Sequence, residues 1–481
     1  MAGPVTVVEP AQVRVSKAQP VEIAPQILHL DGRSVTFSWK TRSPVTGRLE
    51  LVGPGGAADQ ESVFLEEGPP SMNHRLSAAN LVAGSRYRYL VDGRFAGSFE
   101  TATPGEPIKF GVFGHPGGTA TYAAFPVAHL ATTLDGMGLD FALCTGDMCN
   151  YTSAASFKRF YFDPFARFLA SRPIYAAAAN HEGGYPTSQG KNFDVFRELF
   201  PYEFPGEKHA YHSFVRGNVE FFACAYAPAR TKDHEEQLEW LAEALTASRS
   251  EFRVVFLGGA QNPAGFDRSR FFRTAKDNGA DLAFGGDGSG VSVSQVEGLD
   301  YFFAGTAGRD PRPFFLADAD PYQLEVTRRD TRMAKLLGSW RFESKRPKTL
   351  VKDAMAHAED SPRERAMLFS GLALPSTHFH GFRVRIQNPS DHPVLFWSLW
   401  SPEGTRKSGD YFFRNEARFL DPHSTSVHHF ALPQDHPRTG QPWTLDEIEL
   451  RVMSSALPEG FELSGHVEEV AVFSDPLQAD R

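Results

Sequence analysis

The chain has 481 residues, a formal net charge of −9, 41% hydrophobic and 22% charged residues, and cysteines only at Cys144, Cys149 and Cys224. That length exceeds one core and calls for roughly two to four domains. There is no basic stripe to neutralise phosphates, which excludes a dedicated nucleic-acid binder; no run nears the ~18 apolar residues of a membrane span; and three thiols make no disulfide framework.

Residues 1–22 are rich in Pro and Val and read as an extended arm. They lack a charged segment followed by an apolar one, so no signal peptide is expected, and the chain as written is cytoplasmic unless a signal has been removed. Residues 23–104 read as all-β: Val35-Thr36-Phe37-Ser38-Trp39 alternates, and Gly and Pro turns separate the segments. Leu81, Gly84, Tyr87 and Tyr89 are spaced like the tyrosine-corner strand of fibronectin type III sandwiches, which this segment resembles.

Residues 107–340 change pattern. Short apolar runs, Phe110–Phe113, Phe141–Cys144, Ile174–Ala177 and Val254–Leu257, each end in Gly or polar residues, and amphipathic stretches such as Glu235–Leu245 lie between them. Strands alternating with helices predict a mixed α/β domain, whose site is built just after strand C-termini. That rule selects His115, Asp147, Asn180, His181, Gln261 and Asp287. The glycine-rich loop Gly285–Gly290 matches neither GxGxxG nor GxxxxGK[ST], and Val291-Ser292-Val293-Ser294 after it alternates like a strand. No helix N-terminus is therefore expected to face it. Residues 341–376 read as a charged, helical connector, and 377–475 return to β patterning.

The strand-end residues occur in a telling order. Gly114-His115, Gly146-Asp147, Asn180-His181-Glu182, Gln261-Asn262-Pro263 and Gly286-Asp287-Gly288-Ser289 resemble the five blocks of calcineurin-like metallophosphoesterases, in particular the purple acid phosphatase branch. Gln237-Leu238-Glu239-Trp240-Leu241 is similar to that branch's Q-x-x-W-L helix, and Tyr301–Gly308 to its closing strand. The expected fold class is multidomain α/β plus β. It comprises an N-terminal fibronectin III-like sandwich, a central four-layer metallophosphoesterase-like αββα domain, and a C-terminal jelly-roll (galactose-binding-like) sandwich.

The resemblance implies two metals about 3.5–4 Å apart that activate hydroxide and neutralise phosphate. The ligand pattern is altered. His115 stands in place of an Asp, Asn150 in place of a Tyr with Tyr151 one residue late, Gln261 in place of a His, and Asp287 and Ser289 in place of the two His of G-H-x-H; Asp147 and Asn180 are kept. Gln, Asn and Ser are weak transition-metal ligands beside imidazole. The chain is therefore expected to be a divergent purple-acid-phosphatase-like protein, a pseudophosphatase with a binding or scaffolding role and no resident cofactor.

The alternative is an enzyme with a rebuilt site in the same pocket. His115, Asp147, His181 and Asp287 would be catalytic, Asn150, Asn180, Gln261 and Ser289 would contact substrate, and Asp147, Asn180 and Asp287 would hold a single divalent metal. His181 occupies the position of the family's acid near the leaving group. Metal-free versions name Ser289 with His115 and Asp147 or Asp287 as a hydrolytic triad, or Cys149 with His115 or His181 as a thiol–imidazole pair. For the C-terminal sandwich a glycan or protein partner is expected, with Trp397 and Trp400 as carbohydrate-stacking candidates; the plainer reading puts such aromatics in the core.

Overall fold

A computed structural model describes residues 6–7, 21–53, 62–103, 106–117, 124–184, 192–227, 231–258, 267–286, 291–305, 313–320, 323–330 and 336–343, and beyond these the strands of the C-terminal unit given below. The chain divides into two compact units, 1–344 and 345–481.

The first unit opens with two antiparallel sheets. Val21–Leu30, Val35–Val45 and Ser71–Ala78 form one; Thr6–Val7, Arg48–Val52, Ser62–Glu66, Arg86–Val91 and Arg94–Glu100 form the other. Alternation puts Phe37, Trp39 and Leu76 of the first sheet against Leu49, Leu51, Tyr89 and Val91 of the second in one buried cluster. The Val82 N–H donates to the Tyr87 hydroxyl at 2.8 Å, fixing the turn that enters the Arg86–Val91 strand. This sandwich is fastened to the rest of its unit: the Tyr89 hydroxyl donates to the Ala170 carbonyl at 2.8 Å, and Gln26 Nε2 to the Leu199 carbonyl at 3.1 Å.

Two mixed sheets follow. The first runs in the order Ile174–Ala176, Phe141–Cys144, Ile108–Phe113, Pro313–Ala319, Gln323–Asp330, Leu336–Glu343. The second runs His212–Arg216, Val219–Cys224, Phe252–Gly258, Leu282–Gly286, Leu299–Phe303, Ser292–Val296. Their inner faces meet through Phe110, Phe141, Phe221, Phe256, Phe284 and Phe302. Burying each such ring contributes roughly 1.5–3 kcal/mol. Helices Ala124–Asp135 and Asp163–Leu169 cover the first sheet, using Leu130, Leu134, Phe165 and Phe168. Helices Lys232–Ala247 and Arg268–Asp277 cover the second, using Leu238, Leu241, Leu245, Phe271 and Phe272. The result is the expected helix–sheet–sheet–helix stack. Gln237 of the Q-x-x-W-L helix is buried and grips Ala225, accepting from its N–H at 2.7 Å and donating to its carbonyl at 3.0 Å.

Among the described residues of 341–376, strands stand in place of the expected helical connector. Leu336–Glu343 runs into that range as a strand, and Thr349–Leu350, Asp360–Ser361, Glu364–Phe369 and Leu374–Pro375 are strands as well. Glu364–Phe369 pairs antiparallel along Thr444–Met453, bonding that a charged composition does not reveal and that overrides local helix propensity. In this unit Thr349–Leu350, Val467–Phe473, Gly381–Asn388 and Ser424–Ala431 form one antiparallel sheet. A second is built on Glu364–Phe369, Thr444–Met453 and Val394–Pro402, with Asp360–Ser361, Leu374–Pro375, Phe413–Arg414 and Arg418–Leu420 at its margins. Val384, Ile386, Val394, Phe396, Ile448 and Leu450 are buried. No helix among the described residues is long and apolar enough to cross a membrane.

Candidate functional site

Parallel pairing brings strand C-termini to one edge. Phe141–Cys144 lies between Ile108–Phe113 and Ile174–Ala176 in one sheet, and Phe252–Gly258 pairs with Leu282–Gly286 in the other, all parallel. The described ends of these strands therefore lie close together. Glycine makes the approach possible: a Cβ on Gly114 would meet Thr145 Oγ1 at 2.5 Å and the Gly305 carbonyl at 2.8 Å, and one on Gly258 would meet the Thr145 carbonyl at 2.9 Å.

The first two loops dock on one another. The His115 N–H donates to the Gly146 carbonyl at 3.0 Å, and the Gly117 N–H to the Asp147 carbonyl at 2.7 Å. This pairing holds His115 and Asp147 at φ 47° and 53°, left-handed backbone that costs a non-glycine residue roughly 1–2 kcal/mol. Such strain is found at functional sites. It turns the two side chains toward each other, with His115 Nδ1 3.1 Å from Asp147 Oδ2. Asp147 is buried and His115 nearly so. The contact is an ion-pair distance whose angle is not that of a hydrogen bond.

Asp147 is held from below by a residue the sequence motifs left without a role. Glu182 is completely buried. Its Oε2 accepts the Asp147 and Ala179 amides, each at 2.9 Å, and its Oε1 accepts the Met148 amide at 2.7 Å and the Cys149 thiol at 3.4 Å. Burial and the adjacent Asp147 charge push this carboxyl above its ordinary value, against the pull of the N–H donors. The signal was present in the Asn180-His181-Glu182 block, but nothing in a sequence distinguishes a buried amide clamp from a solvated acid.

The other expected residues sort clearly. The His181 N–H donates to Asp147 Oδ1 at 3.3 Å, and its ring Nδ1 lies 3.0 Å from the Asn150 carbonyl. A carbonyl only accepts, so Nδ1 carries a proton in this contact. The His115 and His181 rings meet edge-on, with centroids 5.9 Å apart. Asn150 and Asn180 both come to this site, and their Oδ1 atoms, like Asp147 Oδ2, are buried without a hydrogen-bond partner among the described residues. Tyr151 is 70% exposed and does not replace the family's tyrosine.

Cys149 is buried, and burial together with the Glu182 and Asp147 charges raises its thiol far above the ordinary value, so the thiol–imidazole pair has no thiolate. Gln261, Asp287 and Ser289 lie outside the described residues, as do the side chains of Trp397 and Trp400. The backbones of those tryptophans pair with Arg451 and Ile448.

Among the described residues the donor set falls short of the two-metal centre that the resemblance implies. Asp147 offers one carboxylate oxygen without a hydrogen bond, while both Glu182 oxygens are engaged by N–H and S–H donors. No group of three His, Cys, Asp or Glu side chains among the described residues is arranged to hold an ion. Two adjacent cations with so little negative charge between them would repel, so the described residues do not fit a dinuclear centre.

Residues 123–288 match the family model for calcineurin-like phosphoesterases. Among solved structures, the chain is similar to purple acid phosphatase PPD1 from yellow lupin (Lupinus luteus) seeds, at 13% identity and a TM-score of 0.52, over 67% of this chain and 74% of that one. PhoD is similar at 14% identity and a TM-score of 0.49, over 68% of this chain and 91% of that one. No curated protein matches the chain. Residues 123–288 are thus similar to calcineurin-like phosphoesterases, and the chain shares the fold of purple acid phosphatase PPD1.

Proposed function

We propose that this chain is a pseudophosphatase: a phosphoesterase scaffold that has given up dinuclear hydrolysis and serves a binding or scaffolding role. One observation carries the reading. Where the family pattern has a ligand aspartate, His115 sits 3.1 Å from the carboxylate that would bridge two metals. An imidazole engaged with that carboxylate competes directly with any cation for it. The neutral residues at Gln261 and Ser289, where the pattern has imidazoles, support the same reading. The test is turnover of p-nitrophenyl phosphate across added Mg, Mn, Fe and Zn, with metal content measured by mass spectrometry after chelator-free purification. Turnover that disappears in Asp147→Ala and His181→Ala would overturn the proposal.

A second reading rests on the buried oxygens of Asp147, Asn150 and Asn180 that lack hydrogen-bond partners among the described residues. An all-oxygen set suits one hard divalent cation such as Mg, Ca or Mn, with Asp287 as a further candidate ligand. Such a cation would supply charge neutralisation for a bound phosphoester. In this version His181 transfers a proton through Nε2, Asp147 orients His115, and Asn180 contacts substrate. One equivalent of bound metal, retained on dilution, favours this reading over the first.

We further read the N-terminal sandwich as fibronectin III-like, supported by the Tyr87 hydroxyl at its turn. The C-terminal unit we read as a jelly-roll module for a glycan or protein partner. Loss of glycan binding in Trp397→Ala and Trp400→Ala tests that assignment.

A further inference from the structure

We propose that a second cleft, at the seam between the N-terminal sandwich and the central domain, binds a neutral, polyhydroxylated small molecule of the saccharide class, read out by His212. The cleft encloses about 430 Å³, within the range of roughly 300–1,000 Å³ typical of small-molecule sites. None of its lining residues belongs to the strand-end loops, and the proposal does not rest on the pseudophosphatase reading.

His212 opens the edge strand His212–Arg216 and is 3% exposed. Neither of its ring nitrogens has a hydrogen-bond partner among the described residues, although the residue lines the cleft. Buried polar groups are nearly always satisfied, so such a ring calls for a ligand or ordered water. Burial pushes its pKa down to about 3, which keeps it neutral. A neutral imidazole offers one N–H donor and one lone pair, and a hydroxyl group answers both. Arg75 adds a donor: its Nε is likewise buried and without a partner among the described residues.

The remaining walls narrow the ligand class. Arg75 and Glu203 are the lining residues of fixed charge; they approach to 3.5 Å and cancel, so neither an anion nor a cation is drawn in. The aromatic faces are already used. His212 stacks on Tyr202 with centroids 4.1 Å apart, and Phe214 on Tyr175 at 3.6 Å. That disfavours a flat base sliding between rings. What faces the cleft is hydrogen-bonding capacity, including the Thr36 and Ser77 hydroxyls, themselves 2.9 Å apart. Neutral donors and acceptors with apolar walls and no net charge match a sugar.

The test is saturation-transfer NMR and calorimetry on the full chain with glucose, galactose, N-acetylglucosamine and maltose, and with glucose 6-phosphate as a charged arm. At least one neutral sugar is expected to bind. His212→Phe keeps the stacked ring and removes both nitrogens, and should weaken binding at least tenfold. Ala79→Trp, at an exposed position lining the cleft, should block it to a similar degree and decides the matter if the first variant fails to fold. Absence of binding by all four neutral sugars overturns the proposal. So does binding that survives both substitutions, which places it elsewhere, as does glucose 6-phosphate binding more than tenfold tighter than glucose.

Discussion

Exchanging Glu182 for glutamine keeps the shape of a buried side chain and removes one of its two acceptor oxygens. In the native clamp Oε2 takes two amides, from Asp147 and Ala179, and Oε1 takes the Met148 amide and the Cys149 thiol. In the better placement the introduced glutamine keeps its oxygen on the Asp147 and Ala179 amides and turns its NH₂ toward Met148. One buried N–H is then orphaned, at about 1–3 kcal/mol. Relief of repulsion with Asp147 offsets part of this, while the N–H···H–N encounter adds to it. The expected net loss is about 2 kcal/mol, equivalent to roughly 30-fold faster amide exchange where the loop opens.

Hydrogen exchange read by mass spectrometry on peptides covering 145–150 and 178–182 measures this locally. The pH dependence has a defined sign. Glu182 is raised above 4.5 in the folded state, so the stability it contributes is full below pH 4.5 and is lost as pH rises through its folded value. The gap between wild type and Glu182→Gln should therefore be widest in acid and narrow as pH rises. Exchange over 145–150 within twofold of wild type at every pH would refute the clamp.

Three further outcomes are expected. Gly258→Ala places a Cβ 2.9 Å from both the Thr145 carbonyl and Ala179 Cα, where only backbone can yield, so it should cost about 1–3 kcal/mol and show as a lowered melting temperature. All three thiols are buried and raised by burial, so iodoacetamide at pH 8 should label none in the native chain and all three after unfolding; rapid labelling of Cys149 would reopen the thiol–imidazole reading. His115→Asp sets a second carboxylate against Asp147. Without metal it should destabilise the chain by about 1 kcal/mol, and with millimolar Mn or Mg it should recover that stability, giving a metal-dependent melting temperature absent from wild type.

What the sequence disclosed and what it withheld divide along a physical line. Apolar runs ending in Gly or polar residues marked the strand ends, because parallel register must carry those ends to one edge; His115, Asp147, Asn150, Asn180 and His181 do meet there. Glu182 escaped notice because its role is set by amides distributed over Asp147, Met148 and Ala179, which no spacing rule connects. The helix expected across 341–376 failed for a related reason. Charge content is local, and the partner of Glu364–Phe369 is Thr444–Met453, far along the chain.

The same division bears on how the site can change without the fold. The left-handed backbone at His115 and Asp147 is fixed by loop-to-loop bonds, His115 N–H to the Gly146 carbonyl and Gly117 N–H to the Asp147 carbonyl. Glu182 fixes the same loop from its buried side. The close approach of the sheets is fixed by Gly114 and Gly258. These devices act through backbone groups, glycines and Glu182, and none uses the side chain of His115 or Asp147. The backbone of the described loops is therefore held independently of the side chains at His115 and Asp147, which can be exchanged with those loops still in place. A phosphoesterase fold held in this way testifies to its glycines and amide clamp, and its chemistry has to be judged at the His115–Asp147 contact alone.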